Sequence, residues 1–128
     1  MSRSIRLAIT IATLAFAVCG APHGSRASDR SETARSIVIK AFEFTPRTVM
    51  VPAGEAVRWV NMDVANHQIT TGVVEGPDRP RPDGRVASPL LFRGDEFSAT
   101  LRAPGEYWYY CRIHPFMRGS VVVTPGRR

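Results

Sequence analysis

Tyr107-Trp108-Tyr109-Tyr110-Cys111-Arg112-Ile113-His114-Pro115-Phe116-Met117 decides how this chain is read. Its aromatic half alternates as a strand does, with Tyr107, Tyr109 and Cys111 on one face, so the two tyrosines fill a core and the thiol is delivered at the strand's end. A loop of two residues returns His114, and Pro115-Phe116 brings Met117 round before Gly119 opens a last strand. Three metal-ligating side chains thus come from one tight loop. A second imidazole, His67, stands on a separate segment far upstream.

The rest of the chain reads as short strands. Ser36 to Lys40 is rich in β-branched residues, Phe42 and Phe44 alternate with Glu43 up to Pro46, and Thr48 to Val51 closes on the turn Pro52-Ala53-Gly54. Glu55 to Asn61 sets Val57 and Trp59 on one face and Arg58 on the other, and Asn66 to Thr71 is a further short strand carrying His67. Leu90 to Phe92, Phe97 to Leu101, Tyr107 to Cys111 and Ser120 to Thr124 follow, separated by turn residues. Between Gly72 and Pro89, Pro77, Pro80 and Pro82 argue against regular pairing, so a long loop is expected there. No helical period of useful length and no internal repeat runs through residues 28–128. Strands at this spacing predict an all-β fold, a Greek-key antiparallel β-sandwich of about eight strands.

Met1 to Arg6 carries two arginines, and Leu7 to Val18 is an uncharged, mostly apolar run. These are the n- and h-regions of a secretory signal, too short for a membrane span of roughly 20 apolar residues. Val18-Cys19-Gly20 and Ser25-Arg26-Ala27 both offer small residues for cleavage, and the cut after Ala27 is favoured. Lipid anchoring at Cys19 is disfavoured because Val18, not a small residue, precedes it. The expected organisation is a signal over 1–27, a flexible arm over 28–35 and one domain over 36–128, exported to the periplasm and, with no apolar surface run, a monomer.

Arg3, Arg6 and Arg26 leave with the signal, so the 17 basic residues fall to 14 against 11 acidic ones, a formal +3. The cations are scattered and form no basic stripe for nucleic acid. Cys111 is the one cysteine left. A lone thiol in an oxidising compartment is a liability that needs a reason, and metal ligation supplies it.

One thiolate, two imidazoles and a thioether form the donor set of a mononuclear blue-copper centre. Thiolate and thioether favour Cu(I), imidazole accepts both oxidation states, and a rigid scaffold keeps the change between them small. Singly, each residue reads as packing; packing does not explain Cys111, His114, Met117 and His67 together. Zinc sites rarely recruit methionine, a c-type haem needs a Cys-x-x-Cys-His that is absent, and a Cys111–His114 nucleophilic dyad lacks an oxyanion motif.

Phe42-x-Phe44-x-Pro46, Gly54-Glu55-x-Val57-x-Trp59-x-Asn61-x-Asp63, Pro104-Gly105-x-Tyr107-x-Tyr109-x-Cys111 and His114-Pro115-x-Met117-x-Gly119 resemble, in order and spacing, the cupredoxin family. The likeness covers about Ser36 to Thr124. The short Cys-x-x-His-x-x-Met loop is similar to that of the amicyanins, and the wider pattern resembles plastocyanins and pseudoazurins. The resemblance implies an eight-stranded sandwich and one type 1 copper with equatorial His67, Cys111 and His114 and a weak axial Met117. It also implies an apolar patch around the second histidine, which Pro115, Phe116 and Met50 could form unless Phe116 is core. Gln68 departs from the asparagine that follows the first histidine in amicyanins and plastocyanins and braces the cysteine loop. The long loop 72–89 departs from the most compact members.

The expected function is non-enzymatic: a periplasmic carrier passing one electron between redox partner proteins, donor and acceptor. Arg112 and Arg118 flank the loop and call for an acidic docking surface. The alternative is a copper carrier without redox shuttling, which would favour more methionines and histidines than the three and two present beyond the signal. An enzyme would need a second copper or an open coordination position, and no histidines are spare.

Overall fold

Alternating burial sorts the described residues into two facing sheets. The computed structural model describes residues 35–126, so the expected signal, Cys19 and all of the expected arm but Arg35 lie outside it. The strands are β1 (Ser36–Lys40), β2 (Glu43–Thr45), β3 (Thr48–Pro52), β4 (Ala56–Asn61), β5 (Ile69–Glu75), β6 (Arg79–Ala87), β7 (Glu96–Thr100), β8 (Gly105–Cys111) and β9 (His114–Thr124). One sheet runs β2-β1-β4-β7 and the other β3-β9-β8-β5-β6.

Ile37 and Ile39 of β1, Val57 and Trp59 of β4, Val49 and Val51 of β3, Tyr107 and Tyr109 of β8, and Val121 and Val123 of β9 meet in one buried cluster. Full burial of a large apolar side chain contributes roughly 1.5–3 kcal/mol, so this face-to-face layer supplies the driving force. Tyr107 also donates its hydroxyl to the Ala103 carbonyl at 2.7 Å, which pins the turn that starts β8.

Two features depart from the sequence expectation of an antiparallel sandwich with a long loop. β1 pairs with β4, and β3 with β9, in parallel, so both sheets are mixed. In each case the chain crosses to the other sheet before returning beside its earlier strand. Alternation specifies a strand's face and leaves its neighbour's direction open. The stretch 72–89 is mostly not a loop: β5 extends to Glu75 and pairs antiparallel with β6. Pro80 and Pro82 are accommodated because β6 is the edge strand, where a nitrogen without hydrogen can face away from the partner. Gly72 (φ 134°) permits the close approach, since a Cβ there would strike the Arg81 carbonyl.

The β1–β2 hairpin turns on only two residues, Ala41 (φ 52°) and Phe42 (φ 59°). Two positive φ values mark a type I′ turn, which ordinarily takes Asn-Gly. For a residue with a Cβ, the left-handed region costs roughly 1–2 kcal/mol.

Tyr109 lies opposite Gly119 in the β8–β9 register, and a Cβ on Gly119 would meet the Tyr109 hydroxyl and the Arg47 carbonyl. Gly119→Ala is therefore expected to lower stability by about 1–3 kcal/mol, measured by denaturant unfolding. Burial pushes the Tyr109 phenol well above its usual range. Its contribution is complete below about pH 10, where an unfolded tyrosine titrates, and is lost as pH rises towards the folded value. The unfolding midpoint of the metal-free protein should accordingly fall in alkali, and fall less in Tyr109→Phe.

Candidate metal centre

The end of the sandwich where β1, β4 and β8 finish gathers the chemistry. Cys111 ends β8 and the turn Arg112-Ile113 leads directly into β9, so His114 pairs with Cys111 across an irregular register. The expected loop is thus a two-residue hairpin connection, and Met117 already belongs to β9. Met117 is buried on the face of β9 that enters the core, in the same cluster as Cys111. His67 sits just ahead of β5, outside any strand, in an isolated bridge with Leu91. Its backbone N–H donates to the Leu91 carbonyl at 3.0 Å and its backbone carbonyl accepts the Leu91 N–H at 2.8 Å.

The Cys111 sulfur lies 3.6 Å from Nδ1 of His67 and 3.6 Å from Nδ1 of His114. One thiol carries one proton and cannot serve both nitrogens. With metal–nitrogen bonds of about 2.0 Å and a metal–sulfur bond of about 2.3 Å, an ion at tetrahedral to trigonal angles separates N and S by roughly 3.5–3.7 Å. The three donors fit a shared ion, and they form the one such His/Cys/Asp/Glu group among the described residues.

Asp63 supplies what residue spacing did not disclose. Its Oδ2 faces Nε2 of His67 at 3.2 Å and also accepts the Phe42 N–H at 2.9 Å. The Phe42 N–H, ahead of the His67 contact, holds the Asp63 carboxyl below its usual range despite the opposing effect of burial. Burial lowers the His67 pKa, overriding the carboxylate beside it. The consistent state is a neutral imidazole whose Nε2–H points at a carboxylate and whose Nδ1 lone pair points at the sulfur, the arrangement that fixes a metal-binding histidine. Asn61, fully buried, positions this carboxylate: it accepts the Asp63 N–H at 2.9 Å and donates to the Ala65 and Leu91 carbonyls at 2.9 and 3.0 Å. Both residues stand in the Trp59-x-Asn61-x-Asp63 run, whose spacing marks them without revealing what they hold.

Gln68 does not brace the cysteine loop through its side chain, which donates instead to the Ser88 carbonyl at 3.1 Å. Its backbone performs that task. The Gln68 N–H reaches the Cys111 sulfur at 3.4 Å and the Arg112 N–H reaches the Gln68 carbonyl at 2.8 Å.

His67 and Cys111 are sealed at 0% exposure, whereas His114 is half-buried. Phe42 stands edge-on to the His114 ring at 5.0 Å and Phe116 lies 5.9 Å from it. Phe116 is 61% exposed, so it belongs to the surface patch and not to the core. Met50 does not join that patch: it lies opposite Val122, eight positions along β9 from His114. Phe42 takes its place, with Val64, Phe92 and Ile113 also exposed on the adjoining segments.

Arg118, expected beside Arg112 as a docking cation, is committed elsewhere. It donates to the carbonyls of Pro115 at 3.1 Å, Val74 at 3.3 Å and Gly76 at 2.9 Å. The guanidinium ties the histidine turn to the β5–β6 hairpin, while Arg112 is exposed.

The sequence profile of the copper-binding proteins of the plastocyanin/azurin family matches residues 31–124. Amicyanin-alpha of Methylorubrum extorquens is 34% identical over 87 residues, 68% of this chain and 69% of that protein. Among solved structures, a purple cupredoxin from Nitrosopumilus maritimus superposes with a TM-score of 0.63 at 31% identity, covering 70% of this chain and 98% of that one. A copper-containing nitrite reductase from Thermus scotoductus matches at a TM-score of 0.59 and 30% identity over 72% of this chain, but only 22% of its own.

Arg118→Met should lower the stability of the metal-free protein by about 2 kcal/mol through loss of its charge-assisted hydrogen bonds. Arg112→Met, on the surface, should change it by under about 0.5 kcal/mol. Parallel urea titrations of the two variants check the contrast.

Proposed function

The chain belongs to the plastocyanin/azurin family of copper-binding proteins, and on that footing we propose that it is a periplasmic one-electron carrier. In this reading His67, Cys111, His114 and Met117 would hold one copper ion. The observation that carries the reading is a buried sulfur equidistant from two imidazole nitrogens, one on a sealed ring and the other on a half-exposed ring.

Bound copper supplies a couple that takes up and releases a single electron. The chain's own groups keep the geometry constant while it does so. Asp63 holds the His67 tautomer, the Gln68 N–H stays on the sulfur, and the two-residue turn holds Cys111 and His114 in register. Hydrogen bonding to the sulfur also tunes the potential. The half-exposed His114 edge, with Phe42, Pro115 and Phe116 around it, is where a partner protein approaches with water excluded. Arg112 beside it favours an acidic partner surface and a salt-sensitive encounter. The apolar run at the start of the chain directs export.

Delivery of copper without redox shuttling is the weaker reading, because exchange would have to reach Cys111 and His67, both without exposed surface. An enzymatic role would need a second metal or an open position, and His67 and His114 are the only histidines beyond residue 27.

The oxidised copper-loaded protein is expected to show an intense thiolate-to-copper band in the visible that Cys111→Ser abolishes, and to lose copper slowly to a chelator. A colourless copper-loaded wild type would sink the assignment of the ligands. A coloured protein that surrenders its metal at once would favour delivery.

A further inference from the structure

We propose that Phe42 is a positioning residue of the metal centre: Asp63 fastens an unfavourable turn that holds the Phe42 ring against both imidazoles and keeps water from them. The proposal rests on the reading that His67 and His114 hold copper. Ala41 and Phe42 both occupy the left-handed region, where asparagine and glycine would sit without strain. Burial of the ring gives only partial return, since Phe42 remains 41% exposed. What the conformation achieves is placement. The ring lies 5.0 Å from His114 at 88°, 5.7 Å from His67 at 71° and 6.3 Å from Phe116. The same Asp63 oxygen that accepts the Phe42 N–H also faces Nε2 of His67, so one atom locks the turn and one imidazole together. Edge-to-face contact resists tilting of the His114 ring. Strain held at such a point by the surrounding structure marks function rather than accident.

Three variants test this. Ala41→Gly keeps the ring and relieves half of the turn, and should raise the unfolding midpoint of the metal-free protein. Phe42→Gly relieves the other half and deletes the ring. It should keep the midpoint at or above that of wild type, yet speed alkylation of Cys111 in the metal-free protein severalfold. In the copper-loaded protein it should shift the thiolate-to-copper band and hasten loss of metal to a chelator. Asp63→Asn should move thiol reactivity and band the same way as Phe42→Gly, with a lowered midpoint. Wild-type thiol reactivity together with a wild-type band in Phe42→Gly overturns the positioning role. A lowered midpoint in Ala41→Gly overturns the strain. If the wild type binds no copper, the functional reading fails, while the alkylation rates still judge whether Phe42 closes the cluster of His67, Cys111 and His114 to solvent.

Discussion

A single buried sulfur facing two imidazole nitrogens at 3.6 Å is the constraint around which this end of the molecule is arranged. A thiol proton satisfies at most one of them, and His67 has already turned its Nε2 edge to Asp63. Buried polar groups without partners are costly, so the arrangement is balanced when a cation draws all three donors together. Cys111 and His114 are held by the tightest available connection, a two-residue turn, and His67 by a bridge to Leu91 that supplies two backbone hydrogen bonds outside either sheet.

The sandwich is shaped to make that end rigid. Asn61 finishes β4 and uses its amide to fold the following segment onto itself, placing Asp63 and His67 four residues apart with their polar atoms in contact. Asp63 reaches across to the β1–β2 turn, and Arg118 ties the histidine turn to the β5–β6 hairpin. The bonds from Asp63 to Phe42 and from Arg118 to the β5–β6 hairpin span distant parts of the chain, so local fluctuation in one segment is opposed by another. A centre that changes charge without changing shape needs this support.

The surface divides the labour. The sulfur and His67 are closed off, and the half-exposed His114 sits among Phe42, Pro115 and Phe116. Committing Arg118 to main-chain carbonyls leaves Arg112 as the loop's exposed cation.

Residue types and spacing by themselves determined the strand periodicity, the inward face of β8, and the candidate donors at 67, 111, 114 and 117, because alternation and ligand chemistry are local properties of the chain. Only the tertiary structure decided the parallel pairing of β1 with β4 and β3 with β9, since periodicity carries no information about a neighbour's direction. It also decided that the proline-bearing stretch after Gly72 pairs at a sheet edge, that Gln68 acts through its backbone, and that Arg118 is a tie. Asp63 was visible as a motif position, but its hold on Phe42 joins residues 21 apart in sequence. Such a hydrogen bond leaves no periodic trace, and it exists only once β1 has paired in parallel with β4 and brought the ends of the two strands side by side.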